Sequence, residues 1–306
     1  MAGSAPRGLA WTAVAAVFLL MTLGNIVSAT GSGLACPDWP LCHGGLIPPL
    51  QPDVLIEYGH RLAALAASLL VVATIAATLS RSGPRGAGRV GIVLLLLLGV
   101  QIALGGITVL LRLPYLVSTA HLVNALLILG GLLLLASGAR AEPAAPPAGA
   151  AKVAALSRVG LAVLLLQMAL GGYVRHTGAG LACPDFPLCS GALLPEHWLA
   201  AIHWVHRWLG VTMLGLFAHL ALAGRRTALA RVTGATAALA ILQVALGIAA
   251  VWLHLTPPIR AAHAAVGYAL WGALVWTSIR AGIWQGLLAA APRPAAARVG
   301  EAVNAS

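Results

Sequence analysis

Four histidines and four cysteines recur at matched spacings in this 306-residue chain, and one glutamate, Glu57, stands in the first copy alone. His60 lies in "EYGHRLAAL" (57–65) and His206 in "HWVHRWLGV" (203–211), 146 positions apart and each followed by arginine. His121 in "STAHLVNALL" pairs with His263 in "RAAHAAVGYAL", 142 positions later. Two histidines at matching depth on different helices of a four-helix bundle can hold one haem iron from both faces. A single histidine inside a membrane span is as readily a satisfied core residue. Four in repeat register point to two haem sites, because ionisable groups in a span are costly and mark function.

The neighbouring arginines fit the same picture. Arg61 and Arg207 follow the second-helix histidines, and Arg260 precedes His263 by three residues. A haem entering from the outer side turns its propionates toward water, where a guanidinium pairs well with carboxylate. The competing reading is snorkelling to outer headgroups. The cysteines stand in two near-identical phrases, "GLACPDWPLCHG" (33–44) and "GLACPDFPLCSG" (180–191). Prolines bend each segment and bring Cys36 toward Cys42 and Cys183 toward Cys189, and disulfides persist in an oxidising outer compartment. Redox-cycling thiols are the alternative. Zinc is a weaker one, since His43 adjoins Cys42 but Ser190 stands at the equivalent place in the second copy.

The elements that must position these groups are membrane helices. The chain is 60% hydrophobic and 8% charged, more apolar surface than a soluble domain covers. Eight apolar runs, near 9–30, 54–80, 90–111, 115–138, 158–176, 199–224, 232–253 and 259–282, are each long enough to cross about 30 Å of hydrocarbon. They are too long and evenly apolar for barrel strands, so the fold class is an all-α membrane protein of eight transmembrane helices. The first run follows Arg7 like a signal peptide, but its apolar stretch exceeds a typical signal core, and its counterpart at 158–176 is internal.

The net charge of +11 is a topology signal and not a nucleic-acid footprint. Basic residues such as Arg81, Arg85, Arg89, Arg140, Lys152, Arg225 and Arg226 fall in the termini and even-numbered connections, while Asp38, Asp53, Asp185 and Glu196 occupy the odd-numbered ones. The positive-inside rule then places both termini in the cytoplasm and the Cys loops outside, in a multi-pass protein of the cell membrane. Aligning the Cys phrases extends into a repeat of the whole chain, with Gln101 and Gln243 before similar Ala-Leu-Gly steps. The chain therefore divides into a four-helix half (1–138), a Pro/Ala linker (139–157), a second half (158–282) and a tail (283–306). The halves are parallel repeats about an axis along the membrane normal.

The halves are not equivalent. Where the first has Glu57, the second has His203. A carboxyl one helical turn from an iron ligand lies over the same haem and can move protons, so the first half is the one expected to do chemistry. The plain alternative for Glu57 is an ion pair with Arg61.

With the Cys loops, the Glu57-x-x-His60-Arg61 motif and the second His-Arg step, the chain resembles the heme A synthase family from the first helix to His263. That resemblance implies an oxidoreductase that converts haem O to haem A by oxidising the C8 methyl to a formyl through successive hydroxylations, with haem b as cofactor. It implies His60 and His121 as ligands of the substrate haem, His206 and His263 as ligands of haem b iron, Glu57 as the catalytic glutamate, and Cys36 and Cys42 as a functional pair. Cys183 and Cys189 form a second pair that not every member carries. Haem O synthase as donor, an electron acceptor that the residues do not name, the lipid bilayer and a homo-oligomer complete the expected partners, with no nucleic acid. The alternative is a di-haem b-type electron-transfer cytochrome, which leaves Glu57 and the Cys loops without a purpose. A transporter would predict broken helices and mid-membrane acids, which the sequence lacks. Of the other histidines, His43 and His176 are placed to contact substrate, and His197, His203, His219 and His254 receive no role.

Overall fold

In the membrane core every backbone N–H and C=O must find a partner inside the chain, and helices satisfy that requirement segment by segment. The computed structural model describes residues 5–80, 85–138 and 148–288. It places eight long helices there: α1 (Ala5–Ala29), α2 (Pro52–Leu79), α3 (Arg85–Leu110), α4 (Tyr115–Ala136), α5 (Ala150–His176), α6 (Trp198–Gly224), α7 (Ala230–Trp252) and α8 (Pro257–Arg280). A short α9 (Gln285–Leu288) packs on α3. Pro52 and Pro257 open α2 and α8 at first-turn positions, where their missing N–H has no intrahelical partner to lose.

α1 packs on α2, α2 on α3, α3 on α4 and α4 on α1, and α5 to α8 repeat this ring. The two rings meet through α1, α4, α5 and α8. α4 is the most enclosed of the apolar spans, with 61% of its apolar window buried against 22–33% in the other six. Leu126, Leu129 and Leu132 of α4 and Leu274 of α8 are almost fully buried there. The Trp271 indole N–H donates to the Leu126 carbonyl at 2.8 Å, tying α8 to α4 across the interface.

Seven of the described helices are long and apolar enough to cross a membrane. The eighth expected span, α8, has the length but more polarity, and the protein itself meets that polarity. Thr277 Oγ1 lies 3.0 Å from Thr236 Oγ1, and Ser278 Oγ accepts the Trp284 indole N–H at 2.7 Å. The fifth helix begins at Ala150, so residues 150–157 are helical where the sequence reading had assigned them to the linker. Lys152 and Arg158 gave that stretch a polar look. Its Ala-rich backbone is a strong helix former, and Val153 and Ser157 are fully buried. Residues 139–147 of the linker, 289–306 of the tail, and Arg81 lie outside the described residues.

Candidate functional site

The two Cys loops are built to one plan. Cys36–Cys42 and Cys183–Cys189 are disulfides, with Cα atoms 4.8 and 4.4 Å apart. Asp38 accepts the backbone N–H groups of His43 and Gly44 at 2.7 and 2.8 Å. Asp185 does the same for Ser190 and Gly191 at 2.6 and 2.8 Å. The Gly44 N–H, seconded by that of His43, holds the Asp38 carboxyl below its ordinary range, and Gly191 and Ser190 do so for Asp185. The Tyr58 hydroxyl donates to the Leu46 carbonyl at 2.5 Å, and the Trp204 indole N–H to that of Leu193 at 2.9 Å. His43 is not a metal ligand here: its Nε2 sits 2.9 Å from the Ala35 carbonyl, and its neighbour Cys42 is oxidised.

Each loop docks on the second helix of its half through one side chain, and here the halves diverge. The Cys36 N–H donates to Glu57 Oε2 at 2.7 Å. The Cys183 N–H donates to His203 Nδ1 at 3.3 Å. Glu57 is buried, and its Oε1 pairs with Arg61 Nη2 at 2.7 Å, so the ion pair weighed against a chemical role is present. Arg61 and Arg207, expected on haem propionates, both donate to the loops, and Arg61 also lines the cavity below. Arg61 donates to the carbonyls of Asp38 (2.7 Å), Cys36 (3.0 Å) and Leu41. Arg207 donates to those of Cys183 and Leu188, both at 3.2 Å, and of Asp185. It also lies 5.0 Å from the Phe186 ring centroid. A loop of this size has more carbonyls than donors of its own, and a planar guanidinium supplies five N–H groups at once.

Below the loops the four repeated histidines are brought together in two pairs. His60 on α2 and His121 on α4 line one cavity of the first ring, and His206 on α6 and His263 on α8 hold the equivalent positions in the second. All four Nδ1 atoms are buried without a hydrogen-bond partner. An unsatisfied buried polar group costs about 1–3 kcal/mol, so four in register call for a ligand. Each ring also abuts a glycine of the adjoining helix. A Cβ added at Gly24 or Gly105 would lie 2.9 or 3.4 Å from Cε1 of His60 or His121. At Gly171 or Gly247 it would lie 2.7 or 3.1 Å from Cε1 of His206 or His263. Gln101 Nε2 is 3.2 Å from His121 Nε2, and Gln243 Nε2 is 3.3 Å from His263 Nε2. Asn124 steadies the first glutamine by donating to its Oε1 at 2.7 Å, whereas Gln243 Oε1 has no partner. Among the described residues no three His, Cys, Asp or Glu converge as they would on a bare ion. Pairs of unpartnered histidines suit a macrocycle carrying its own metal.

The first pair opens on a cavity of about 710 Å³, within the roughly 300–1,000 Å³ of small-molecule sites. Its wall includes Glu57, His60, His121 and Gln101, and also Arg175 and His176 from the other half. The glycines, the glutamine contacts and the crossing of Arg175 are what the sequence reading missed. The glycines were detectable: Gly24 and Gly171 share the 147-residue offset of the Cys phrases, and Gly105 and Gly247 the 142-residue offset of His121 and His263.

Fold and site define a multi-pass α-helical membrane protein made of two four-helix repeats, each carrying two buried histidines on different helices and a disulfide loop. The COX15-CtaA profile, described as cytochrome oxidase assembly protein, matches residues 7–55 and 51–275, and the chain belongs to that family. It is similar to the heme A synthase of Symbiobacterium thermophilum, 37% identical over 59% of this chain and 62% of that protein. It is also similar to those of Bacillus pumilus (31%, over 66% and 72%) and Shewanella oneidensis (29%, over 80% and 87%). The match thus spans less than two thirds of the Symbiobacterium protein and most of the Shewanella one.

Proposed function

We propose that this chain is a heme A synthase, an oxidoreductase that oxidises the C8 methyl of haem O to the formyl of haem A. The observation that carries the reading is the set of four buried, partnerless histidine nitrogens, two in each half, with a buried carboxylate on the second helix of the first half alone. In the N-terminal half, His60 and His121 hold the substrate haem from opposite faces, and Glu57 accepts protons released from the methyl carbon. The disulfide loop above, fastened by Glu57 and Arg61, keeps water from that end of the cavity. In the C-terminal half the residues present fit haem b: two imidazoles with free Nδ1 atoms, each lying against a glycine that leaves room for the ring. Haem b, when bound between His206 and His263, supplies one-electron transfer. Gln243 orients His263 and Gln167 holds the His206 backbone, donating to its carbonyl at 2.8 Å. An electron acceptor and a haem O synthase as donor are the partners this activity requires, and assembly as a homo-oligomer is compatible with it.

The haem content of the purified protein tests the proposal. A pyridine haemochrome spectrum with mass analysis is expected to show haem b together with haem O or haem A. Haem b alone at two per chain would favour the electron-transfer cytochrome, which the equal geometry of the two histidine pairs also allows.

We further propose that both termini are cytoplasmic and both Cys loops lie outside, from the basic residues of the even-numbered connections. After mild reduction of intact cells, a thiol reagent that cannot cross membranes is expected to label Cys36 or Cys183. Labelling that appears only after lysis would reverse the orientation.

A further inference from the structure

The N-terminal cavity borrows one cation, Arg175, from the opposite half, and a second, Arg260, reaches the same end of α1. Arg175, near the end of α5, reaches α1: its Nε donates to Ser28 Oγ and its Nη2 to the Asn25 carbonyl, both at 3.0 Å. Arg260, in the first turn of α8, reaches the same helix end, with Nη1 and Nη2 at 3.3 and 3.5 Å from the Ala29 and Ser28 carbonyls. The two guanidiniums meet at one residue, Arg175 at the Ser28 hydroxyl and Arg260 at the Ser28 carbonyl. Neither has an acidic partner: among the described residues the one ion pair is Arg61 with Glu57. The C-terminal end of α1 offers roughly half a negative charge, too little for two full positive ones. A part-buried cation pair without counter-ions is costly at membrane depth and marks a place where an anion binds. Each side chain uses two of its five donors. In the wall of the same cavity as Arg175, Ser118 Oγ is buried without a partner. The repeat makes the arrangement one-sided, because the positions equivalent to Arg175 and Arg260 in the first half are Ser28 and Ser118.

We propose that Arg175, with Arg260 beside it, is the carboxylate anchor for the substrate haem in the N-terminal cavity, supplied by the C-terminal half. This rests on the heme A synthase reading. A ligand held at its metal by His60 and His121 and at one edge by two guanidiniums is a metalloporphyrin with two carboxylates. The anchor fixes the rotation of the macrocycle about its iron. Propionate and the C8 methyl share a pyrrole in haem O, so anchoring the carboxylates positions the carbon to be oxidised. The farnesyl substituent lies across the ring from the propionates. It would face α2 and α3, where the cavity-lining Leu62, Leu65 and Ile102 are 50%, 60% and 47% exposed and the wall opens toward lipid. Arg175 is thereby a specificity-determining residue that selects which methyl is presented.

Binding of haem O and of its dimethyl ester to the detergent-purified full chain tests this, followed by absorbance. The wild-type protein is expected to bind the free acid about ten-fold or more tightly than the ester, the worth of a charge-assisted hydrogen bond. Arg175→Gln should remove most of that preference by weakening the acid alone, Arg260→Gln should remove part of it, and Arg175→Lys should retain part, all with an unchanged haem b spectrum. Equal binding of acid and ester by the wild type overturns the proposal, and that arm needs no variant to fold. So does a full preference surviving in Arg175→Gln. A wild type that binds neither form sinks the haem O reading and this inference with it, whereas either of the first two failures leaves that reading standing.

Discussion

Glu57→Gln is expected to slow conversion of haem O to haem A by about 100-fold or more, while the protein still accumulates and keeps haem b. Oxidising a methyl to a formyl removes protons as well as electrons, and an apolar cavity has no bulk water to take them. Glu57 is the buried acid on the cavity wall, 3% exposed, with one oxygen on Arg61 and the other on the Cys36 N–H. Gln can accept one of those bonds but cannot ionise, so haem O or an alcohol intermediate should build up. The same contacts give Glu57 a structural task, which a second substitution separates. Glu57→His copies the C-terminal half, where His203 accepts the Cys183 N–H and holds an equivalent loop. It should keep the loop docked, read as unchanged protection of the Cys36–Cys42 pair from reductant, yet remain slow because a neutral imidazole carries no negative charge beside Arg61. Recovery of normal turnover by Glu57→His, or normal haem A production by Glu57→Gln, would leave Glu57 as a loop anchor and nothing more.

His206→Ala and His263→Ala are each expected to remove haem b or convert it from a low-spin form, without abolishing haem O binding in the other half. The pair lies inside its own ring of four helices, and neither nitrogen has another partner to fall back on. Gly171→Ala should act in the same direction with both imidazoles present. Its new methyl carbon would lie 2.7 Å from His206 Cε1, and a ring fixed between packed helices cannot yield by rotating a flexible end. Gly105→Ala is the control, since there the approach to His121 Cε1 is 3.4 Å, an ordinary contact, in the half proposed to hold the substrate haem. The haem b to protein ratio and the reduced low-spin band measure all four. A protein lacking both imidazoles that keeps an unchanged low-spin haem b spectrum would end the assignment.

Much of this protein is legible in one dimension because the membrane and the repeat simplify the problem. Hydrocarbon leaves helices as the only economical way to pair the backbone, so apolar runs became helices to within a few residues at most ends. The start of α5 departed furthest, since its Lys152 and Arg158 disguise an Ala-rich helix whose Val153 is buried. The duplicated phrases put Cys36 with Cys42, aligned His60 with His206 and His121 with His263, and exposed Glu57 opposite His203 as the point where the copies part. A spacing argument can see those pairings because each copy is a control for the other. It cannot see where a long side chain ends. Nothing in the spacing shows that Arg61 and Arg207 reach the Cys loops, where the bent backbone presents carbonyls to them. Arg175 and Arg260 belong to the second half by number but meet the end of α1, and Arg175 lines the first-half cavity. That assignment depends on how the two rings pack through α1, α4, α5 and α8, a contact between segments more than a hundred residues apart that no local pattern encodes.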